Sequence, residues 1–548
     1  MLSGGPVVFP RHLTLQSALE NAARSRLGLT FLDAQERETP LSFAELYERA
    51  QRSAGGLREM GIVSGDRVAI VLPTGLDFMD AFFGAVLAGA VPVPLYPPLR
   101  LGRMDEFHRR TARSIQISGA RVVLSDARIS RLLGVAVARA RPPLGLQRVR
   151  QGAPLSERSS PDDLLLIQFS SGTTVDPKPV SLTHANVLSN AAAIESVIPR
   201  DDAQGGVSWL PLYHDMGLIG CLLFSVYRPG PLTLIPPEVF LARPAIWLRA
   251  ISRKRATISV APNFAYGLCV RRVPDSELEG VDLSSWRFAM NGAEPVAPAV
   301  LRRFSNRFSR NGFDSRALMP VYGLSEASLA VSFTPAGQGP RTLLAGSREL
   351  VSVGAPLPGV ELQIRDGRIF VRGPSVMQGY YGNPAATRSA LVDGWLDTGD
   401  LGFLRDGELF VTGRAKDVVI LRGRNHAPQE FEDALDGIEG VRPGCAAAVG
   451  FPTDDGEELV LLVEADGDPD VERIRSRVLE QTGVRPWEVH LLEPGTLPRT
   501  SSGKLRRGEA LRQLQAKELR PPDRVTLLHV AKETARSLLA PWSRMNDR

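Results

Sequence analysis

The feature that most constrains the fold is a repeated order of a short apolar run, a turn and a helix-like pattern. Arg67–Leu72 (RVAIVL) precedes a helical pattern over residues 75–90, and Leu164–Phe169 (LLLIQF) precedes one over 184–197. Unbroken runs of Val, Ile and Leu are typical of strands buried on both faces of a parallel sheet. The pattern therefore predicts an α/β fold whose large domain contains two doubly wound, mostly parallel sheets.

The pattern changes near residue 360, where short alternating strands are separated by Gly and Asp turns. Residues 360–373 (VELQIRDGRIFVRG) and 406–413 (DGELFVTG) predict antiparallel structure, a small β-barrel-like subdomain. The residues after Gly413 predict a compact α+β domain. A chain of 548 residues exceeds one ordinary hydrophobic core. We therefore expect a large domain, a short junction, a small domain and a tail, at residues 1–413, 414–417, 418–520 and 521–548.

The composition, 43% hydrophobic and 23% charged, is that of an ordinary globular protein. Cys221, Cys269 and Cys445 lie far apart without a C-x-x-C pair, which argues against a disulfide framework or a zinc site. The amino terminus lacks a secretory signal pattern. The apolar stretch 81–99 contains four prolines, so it predicts a buried helix followed by a strand rather than a membrane span. We expect a cytoplasmic protein with no integral membrane segment.

The net charge of +5 conceals two basic blocks. Residues 100–150 contain twelve arginines against three acidic residues, and 499–548 contain twelve basic residues against five acidic ones. Such blocks attract an acidic partner, unless they are merely solvated helix faces. Neither block interleaves aromatics with its arginines, so we expect no nucleic-acid partner. The tail also carries apolar residues that predict an amphipathic helix docked on the body, on a partner or on neither: Leu527, Leu528, Val530, Leu538 and Leu539.

A loop rich in hydroxyl residues and glycine follows the apolar run Leu164–Phe169. It has the sequence SSGTTVDPKP over residues 170–179. Glycine lets backbone N–H groups approach an anion, the hydroxyls donate further hydrogen bonds, and Lys178 supplies a positive charge. The loop predicts a phosphate cradle, with an ordinary turn as the alternative. It lacks the G-x-x-x-x-G-K-[ST] pattern, which disfavours a P-loop NTPase.

Four further segments each supply a different part of one reaction. They are NGAE at 291–294, YGLSE at 322–326, DTGD at 397–400 and RTSSGK at 499–504. Together with the loop at 170–179, they resemble the motifs of the adenylate-forming superfamily of acyl-CoA synthetases, luciferases and peptide-synthetase adenylation domains. The resemblance runs from about residue 12 to about residue 520. It implies a reaction in which ATP and Mg²⁺ convert a carboxylic acid to an acyl adenylate.

The resemblance also implies roles for individual residues. One group would hold the phosphates of ATP: Ser171, Gly172, Thr173, Thr174 and Lys178. A second group would bind the adenine, the ribose and the α-phosphate: Gly292, Ala293, Glu294, Tyr322, Gly323, Leu324, Ser325, Asp400 and Arg414. Glu326 and Thr174 would hold Mg²⁺, a hard cation that prefers oxygen ligands. For Asp400, the alternative is a plain Asx turn within DTGD.

The same resemblance makes Lys504 the principal catalytic residue, acting with Glu326, Thr174 and Lys178. Its ammonium would neutralise charge where an anionic carboxylate attacks an anionic phosphate. The alternative is a solvated loop lysine. The superfamily runs two half-reactions, between which a mobile small domain rotates, and the matching hinge position is Lys416. An exposed strand residue is the alternative for that lysine.

Several stretches resemble the fatty acyl-AMP ligases, which pass the acyl group to the phosphopantetheine arm of an acyl carrier protein. They are VPVPLYPPLRLGR at 91–103, SWLPLYHDMGLIG at 208–220, APNFAYGL at 261–268, RGRNHAPQEFE at 422–432 and RPGCAAAV at 442–449. His214 and Asp215, in the second stretch, would contact the substrate at the mouth of the acyl pocket. A structural histidine is the alternative.

Two features depart from the acyl-AMP ligase pattern. Val175 and Pro179 stand where the superfamily usually has glycine, and the insertion after YGLSE is short, with 28 positions from Glu326 to Gly354. We expect a fatty acid as substrate and an acyl carrier protein as preferred acceptor, attracted by the basic tail. A fatty acyl-CoA synthetase is the first alternative. A non-catalytic regulator that binds an adenylate or acyl group is the second.

Overall fold

In the computed structural model of the protein, nine of the described strands form the central sheet of the large domain. The structure describes residues 1–98, 101–170, 178–199, 205–345, 348–421, 424–453, 456–500, 503–523 and 527–540. The six inner strands of this sheet run parallel, and antiparallel strands flank them. In spatial order the nine are Ala355–Pro356, Ala330–Phe333, Leu318–Gly323, Phe288–Asn291, Ile258–Ala261, Gly206–Ser208, Leu232–Leu234, Gly28–Leu32 and Glu38–Ser42.

A second, parallel sheet has four described strands: Val91–Pro94, Arg67–Val71, Val122–Ser125 and Leu146–Gln147. The prediction that Leu164–Phe169 also begins a parallel unit is wrong. After the loop, the chain returns as Pro179–Thr183 and pairs antiparallel with Leu164–Phe169 before the helix begins. The spacing of apolar residues does not depend on strand direction, so the sequence could not distinguish parallel from antiparallel pairing. Gly379–Tyr380 completes this three-stranded sheet.

Helices pack against the strands of the two parallel sheets, as expected of an α/β fold. The helix predicted over residues 184–197 is present, with Thr183 capping its first turn. The helix predicted within residues 75–90 forms as Leu76–Leu87 and is almost wholly buried. The large-domain α-helices are Leu15–Ala23, Phe43–Glu59, Leu76–Leu87, Met104–Ser118, Ala127–Ala140, His184–Val197, Asp215–Gly217, Phe224–Tyr227, Pro237–Ala242, Ala245–Lys254, Asn263–Arg272, Pro298–Phe308 and Pro384–Ala390.

The antiparallel subdomain predicted near residue 360 is a curled sheet. Its described strands are Leu2–Ser3, Glu361–Arg365, Arg368–Arg372, Trp395–Arg405, Leu391–Val392 and Glu408–Arg414. Among the described residues, no helix is both long enough and apolar enough to span a bilayer. The stretch 81–99 instead continues the buried helix Leu76–Leu87 into the strand Val91–Pro94, as predicted.

The residues after Gly413 have hydrophobic cores of their own. One core contains Phe431, Leu461 and Ile474, and a smaller one contains Leu462 and Leu497. The strands are Val419–Leu421, Arg424–His426, Val441–Thr453, Gly456–Ala465 and Glu488–Leu492. The helices are Pro428–Asp433, Val471–Thr482 and Arg507–Gln515.

The tail returns to the large domain. Its helix, Leu527–Leu539, packs across Ala127–Ala140, and Gly134 N–H donates to Ser537 Oγ at 2.6 Å. Two residues of the predicted apolar face, Leu538 and Leu539, are exposed, while Glu533 and Ser537 are buried. Gly134 lets the two backbones approach closely, which favours a small partner such as Ser537 over leucine.

We predict that Gly134→Leu displaces the tail helix. A Cβ at Gly134 would lie 2.0 Å from the Ser537 carbonyl oxygen, so a larger side chain has no space while the helix is docked. Amides of residues 527–540 should exchange hydrogen at least about tenfold faster, measured by mass spectrometry, while the large domain keeps its protection. Gly508→Ala is the control, because a Cβ at that helical glycine meets open space. Unaltered exchange in Gly134→Leu would contradict the docking.

Candidate active site

A cavity of about 1170 Å³ lies between the large and small domains, at the carboxyl ends of the parallel strands. Open α/β sheets bind ligands at that edge. The cavity brings together fourteen predicted site residues: Lys178, His214, Asp215, Ala293, Glu294, Tyr322, Gly323, Leu324, Ser325, Glu326, Asp400, Arg414, Lys416 and Lys504. Ser171, Gly172, Thr173 and Thr174, together with Val175, lie outside the described residues.

Two turns at the strand ends hold their backbones in a strained conformation. Ala293 follows the strand Phe288–Asn291 and has φ of 68°, and Ser328 follows YGLSE with φ of 64°. A Cβ disfavours this left-handed region, and such strain persists where surrounding structure enforces it. Gly292 alone among the predicted, described residues does not line the cavity. It packs against Val321, where a Cβ would come within 2.7 Å of Cγ2.

Asp400 presents its carboxylate to the cavity. Tyr322 Oη donates to Asp400 Oδ2 at 2.7 Å, and Arg414 Nε donates to Oδ1 at 3.1 Å. Burial, reinforced by Asp400, raises the pKa of Tyr322, so the phenol remains a donor. The Asx turn of DTGD is made by Asp397, whose Oδ1 accepts from Gly399 N–H at 2.9 Å. Each Asp400 oxygen has a second acceptor site, which leaves the carboxylate able to accept further hydroxyls.

His214 and Asp215 form a compact polar group in the wall of the cavity. His214 Nδ1 lies 2.6 Å from Asp215 Oδ1, and Ser325 Oγ donates to Asp215 Oδ2. Burial alone would raise the pKa of Asp215, but His214, Ser325 and Lys504 together hold it below its usual range. Asp215 is therefore an anion in the site.

Lys504 enters the cavity on a tight loop of the small domain. Its backbone N–H donates to Thr500 Oγ1 at 3.0 Å, and Thr500 N–H donates to Lys504 O at 2.8 Å. Arg499 stabilises the loop, because its guanidinium donates to Gly503 O at 2.8 Å and to Gly444 O at 2.9 Å. Burial and the nearby Arg414 guanidinium lower the pKa of Lys504, and three acidic side chains oppose that shift: Asp215, Glu294 and Asp400.

Glu326 and Lys178 face each other across one tyrosine. Tyr380 Oη donates to Glu326 Oε1 at 2.9 Å, and Lys178 Nζ lies 3.5 Å from the same phenol oxygen. Within the described residues, no cluster of three or more His, Cys, Asp or Glu side chains could hold a metal ion. Magnesium keeps several waters and pairs with few carboxylates and with phosphate oxygens. A lone carboxylate such as Glu326, beside Lys178, fits that mode of binding.

From His214 the cavity continues as an apolar arm along the central sheet. It reaches Gly206 and Pro231, at the amino ends of two parallel strands, and a π-helical segment, Leu218–Leu223, forms one wall. The side chains along it are largely apolar: Ile194, Ile198, Met216, Cys221, Phe224 and Leu232. An elongated apolar arm that ends at a polar group suits an acid with a hydrocarbon tail.

The junction of the domains also borders the cavity. Lys416 is exposed in the turn from Arg414 to Asp417, so it is not a strand residue. Below it, Arg507 binds Glu432 through Nε at 2.7 Å and Nη2 at 2.6 Å, and reaches Asp417 at 3.4 Å. The assignment of Lys416 as a hinge stays a prediction.

The insertion after YGLSE contains the hairpin Thr342–Ala345 and Arg348–Val351. Glu349 pairs with Arg302 at 2.9 Å, and Arg348 donates to Thr412 O at 3.0 Å, so the hairpin rests on the large domain. Arg348 also acts electrostatically on Asp433 of the small domain. The shortened insertion therefore still reaches the domain junction.

Comparison with known protein families matches residues 19–381 to the AMP-binding enzymes. The chain belongs to the AMP-binding enzyme family. A solved structure from studies of fatty acyl-adenylate ligases from E. coli and L. pneumophila superposes with a TM-score of 0.86 at 33% identity, covering 93% of this chain and 99% of that one. The expected α/β fold and the resemblance to adenylate-forming enzymes are confirmed, and fatty acyl-AMP ligases are among the similar proteins.

Relatives of this AMP-binding enzyme have names from both branches considered above. A putative acyl-CoA synthetase of Caulobacter vibrioides is 36% identical over 91% of this chain and 94% of its own. The medium-chain-fatty-acid–[acyl-carrier-protein] ligase JamA of Moorena producens is 32% identical over 88% and 91%. The chain is thus an enzyme of the AMP-binding ligase family, whose members use ATP.

Two residues that shape the site, Tyr380 and Arg499, were not among those predicted from the sequence. Tyr380 lies 202 residues from Lys178 and 54 from Glu326, so no spacing signal connects it with either. Arg499 belongs to the RTSSGK motif, which was the available signal for it. Its strand-like pairing with Leu505, by which it supports the loop, is visible only in the structure.

We predict a pH-dependent contribution to stability from Asp433 at the domain junction. Burial raises its pKa to about 6, although Arg348 lowers it. Because the folded state then holds the proton more tightly than the unfolded state, this carboxyl stabilises the fold at low pH and loses that effect as pH rises from about 4 to about 6. We compare the free energy of unfolding of the parent with that of Asp433→Asn. The parent value minus the variant value should fall by up to about 3 kcal/mol over that pH range and stay constant above it.

Urea unfolding at several pH values measures this difference. Asp468→Asn removes an exposed carboxylate of the same domain and controls for net charge. A difference between parent and Asp433→Asn that does not change between pH 4 and 6 would contradict the assignment.

Proposed function

We propose that the protein is a fatty acyl-AMP ligase that uses ATP and Mg²⁺ to form an acyl adenylate, releases pyrophosphate and passes the acyl group to an acyl carrier protein. The observation that carries the proposal is the position of Lys504. Its ammonium lies where the apolar arm meets the nucleotide-binding side chains, facing Asp215, Glu294 and Asp400. A cation at that junction suits the meeting of a carboxylate with a phosphate.

In the proposed first step, one oxygen of the fatty acid carboxylate attacks the α-phosphorus of ATP. The bond between the α-phosphorus and the bridging oxygen breaks, and pyrophosphate leaves with its electron pair. The hydrocarbon tail lies in the apolar arm, which orients the carboxylate toward Lys504. Lys504 acts mainly on the transition state, because negative charge is concentrated there as the two anions meet.

The nucleotide is held by groups already in place in the large domain. Asp400 accepts the ribose hydroxyls, Tyr322 and the turn at 292–294 bind the adenine, and Ser325 contacts the α-phosphate. Lys178 and the residues 171–174 bind the departing phosphates. When bound, Mg²⁺ screens the phosphate charge, with Glu326 as its protein ligand and Thr174 as a second.

In the proposed second step, the thiol of the phosphopantetheine arm gives up its proton to solvent and its sulfur attacks the acyl carbonyl carbon. The bond from that carbon to the phosphate oxygen breaks, and AMP leaves with its electron pair. Lys504 must withdraw to admit the thiol, so the small domain rotates about Lys416. The relative JamA, named a fatty-acid–[acyl-carrier-protein] ligase, supports a carrier protein as the acceptor, and the basic tail would attract an acidic carrier. A fatty acyl-CoA synthetase is the second candidate, favoured by the Caulobacter relative.

Mass spectrometry of the products tests the proposal. The purified protein is incubated with dodecanoic acid, ATP and Mg²⁺, alone, with CoA, and with a phosphopantetheinylated acyl carrier protein. We expect acyl-AMP that persists with CoA and acyl transfer to the carrier protein. Efficient acyl-CoA formation would identify a CoA synthetase, and no adenylate with any fatty acid would contradict the proposed activity.

We predict that Lys504→Ala slows pyrophosphate release at least ~100-fold, by analogy with the loss of one preorganised donor. The acyl-adenylate intermediate, supplied ready-made, should still transfer its acyl group to the carrier protein, because Lys504 acts in the first step only. Lys517→Ala removes an exposed lysine of the same domain and should release pyrophosphate at the parent rate. Parent-like release by Lys504→Ala would remove Lys504 from the mechanism.

We also predict that salt weakens carrier-protein use selectively. Carrier proteins are usually acidic, and the segment 499–548 carries twelve basic residues against five acidic ones. Long-range attraction between them is screened within about 10 Å at 0.1 M ionic strength. Raising ionic strength should therefore increase the apparent KM for carrier protein far more than that for fatty acid. Equal responses of the two KM values would count against electrostatic docking.

A further inference from the structure

Tyr380 joins two residues of the proposed site that are far apart along the chain. Its hydroxyl donates to Glu326 Oε1 at 2.9 Å, and Lys178 Nζ lies 3.5 Å from the same oxygen. The Lys178 ammonium is also 4.8 Å from the centre of the Tyr380 ring, close enough for a cation–π contact. One phenol therefore contacts both the carboxylate assigned to the metal and the lysine assigned to the phosphates.

Strand pairing and a hydrogen bond hold the backbone of Tyr380 in position. It lies in the short strand Gly379–Tyr380, which pairs antiparallel with Pro179–Thr183, the strand that follows Lys178. Its N–H donates to Thr387 Oγ1 at 3.0 Å, and the residue is only 6% exposed. The phenol thus projects from a paired strand, and a group on a rigid element can fix the geometry of others.

Lys178 is basic and Glu326 is acidic, so side chains of opposite charge type lie on either side of the phenol. Without the phenol, the ammonium and the carboxylate would attract each other directly. A direct ion pair would compete with phosphate for Lys178 and with magnesium for Glu326.

We infer that Tyr380 is a positioning residue that holds Lys178 and Glu326 apart and oriented for the triphosphate of ATP and its magnesium ion. The inference rests on the proposed function and deepens it, because it names the side chain that organises the phosphate and metal ligands. Tyr380 acts through those two charged groups. Loss of its hydroxyl should therefore affect nucleotide binding and leave the apolar arm unchanged.

Calorimetric binding of ATP without fatty acid tests the inference, once with Mg²⁺ and once with EDTA. Tyr380→Phe keeps the ring over Lys178 and removes only the hydroxyl. We expect the Kd for ATP to rise about tenfold with Mg²⁺ and much less with EDTA, since Glu326 contributes only through the metal. Tyr381→Phe is the matched control. Its ring lies 5.8 Å from the Arg67 guanidinium, outside the site, so parent affinity is expected.

A double-mutant cycle separates positioning from a general structural effect. On a Glu326→Gln background, Tyr380→Phe should lose most of its effect on ATP affinity with Mg²⁺, because the two residues act as a unit. In turnover with dodecanoic acid, Tyr380→Phe should raise the KM for ATP and the Mg²⁺ midpoint, and leave the KM for the acid unchanged.

Three results would overturn the inference: parent-like MgATP affinity in Tyr380→Phe, an equal loss with and without Mg²⁺, or no binding of MgATP by the parent. A parent that binds MgATP but forms no adenylate with any fatty acid would contradict the proposed function instead. In that case the binding comparison between Tyr380→Phe and Tyr381→Phe still decides the role of Tyr380.

Discussion

Lys504 lies in a cavity with Arg414 and three acidic side chains, and the rest of the site is arranged around these buried ionisable groups. Removing a charge from water is costly unless opposite charges and hydrogen bonds surround it. Asp215, Glu294 and Asp400 come from the large domain, and the lysine comes from the small one. The charged groups of the site therefore come together only when the two domains are in contact.

The large domain holds its charged groups on stiff elements. Parallel strands deliver the turns after residues 208, 291 and 323 to one edge of the central sheet. The left-handed backbone at Ala293 and Ser328 turns the chain sharply there. The curled sheet adds Asp400 and Arg414 from the side. Such a frame keeps the polar groups in position before any ligand binds, which is the condition for electrostatic catalysis.

The small domain is attached to the large one from several directions. Lys416 lies in the connecting turn, Arg303 pairs with Asp436 at 3.2 Å, and Arg103 donates to Thr496 O at 2.9 Å. The tail then returns to dock its helix beside Gly134. Exposed ion pairs contribute little each, so most of these contacts can be exchanged at low cost. The proposed rotation of the small domain requires that exchange, and the tail helix is the most extensive contact of the set.

The sequence alone determined the α/β class, the antiparallel region after residue 360 and most of the residues that meet in the cavity, because strand periodicity and short motifs are local properties. Tertiary structure decided the antiparallel pairing of Leu164–Phe169, the contact of the tail helix with Gly134 through Ser537, and the place of Tyr380 between Lys178 and Glu326. These features depend on which distant segments become neighbours. No periodic pattern in the sequence indicates the direction of a strand, the approach of two helices or a hydrogen bond shared between distant residues. Only the packed structure specifies them.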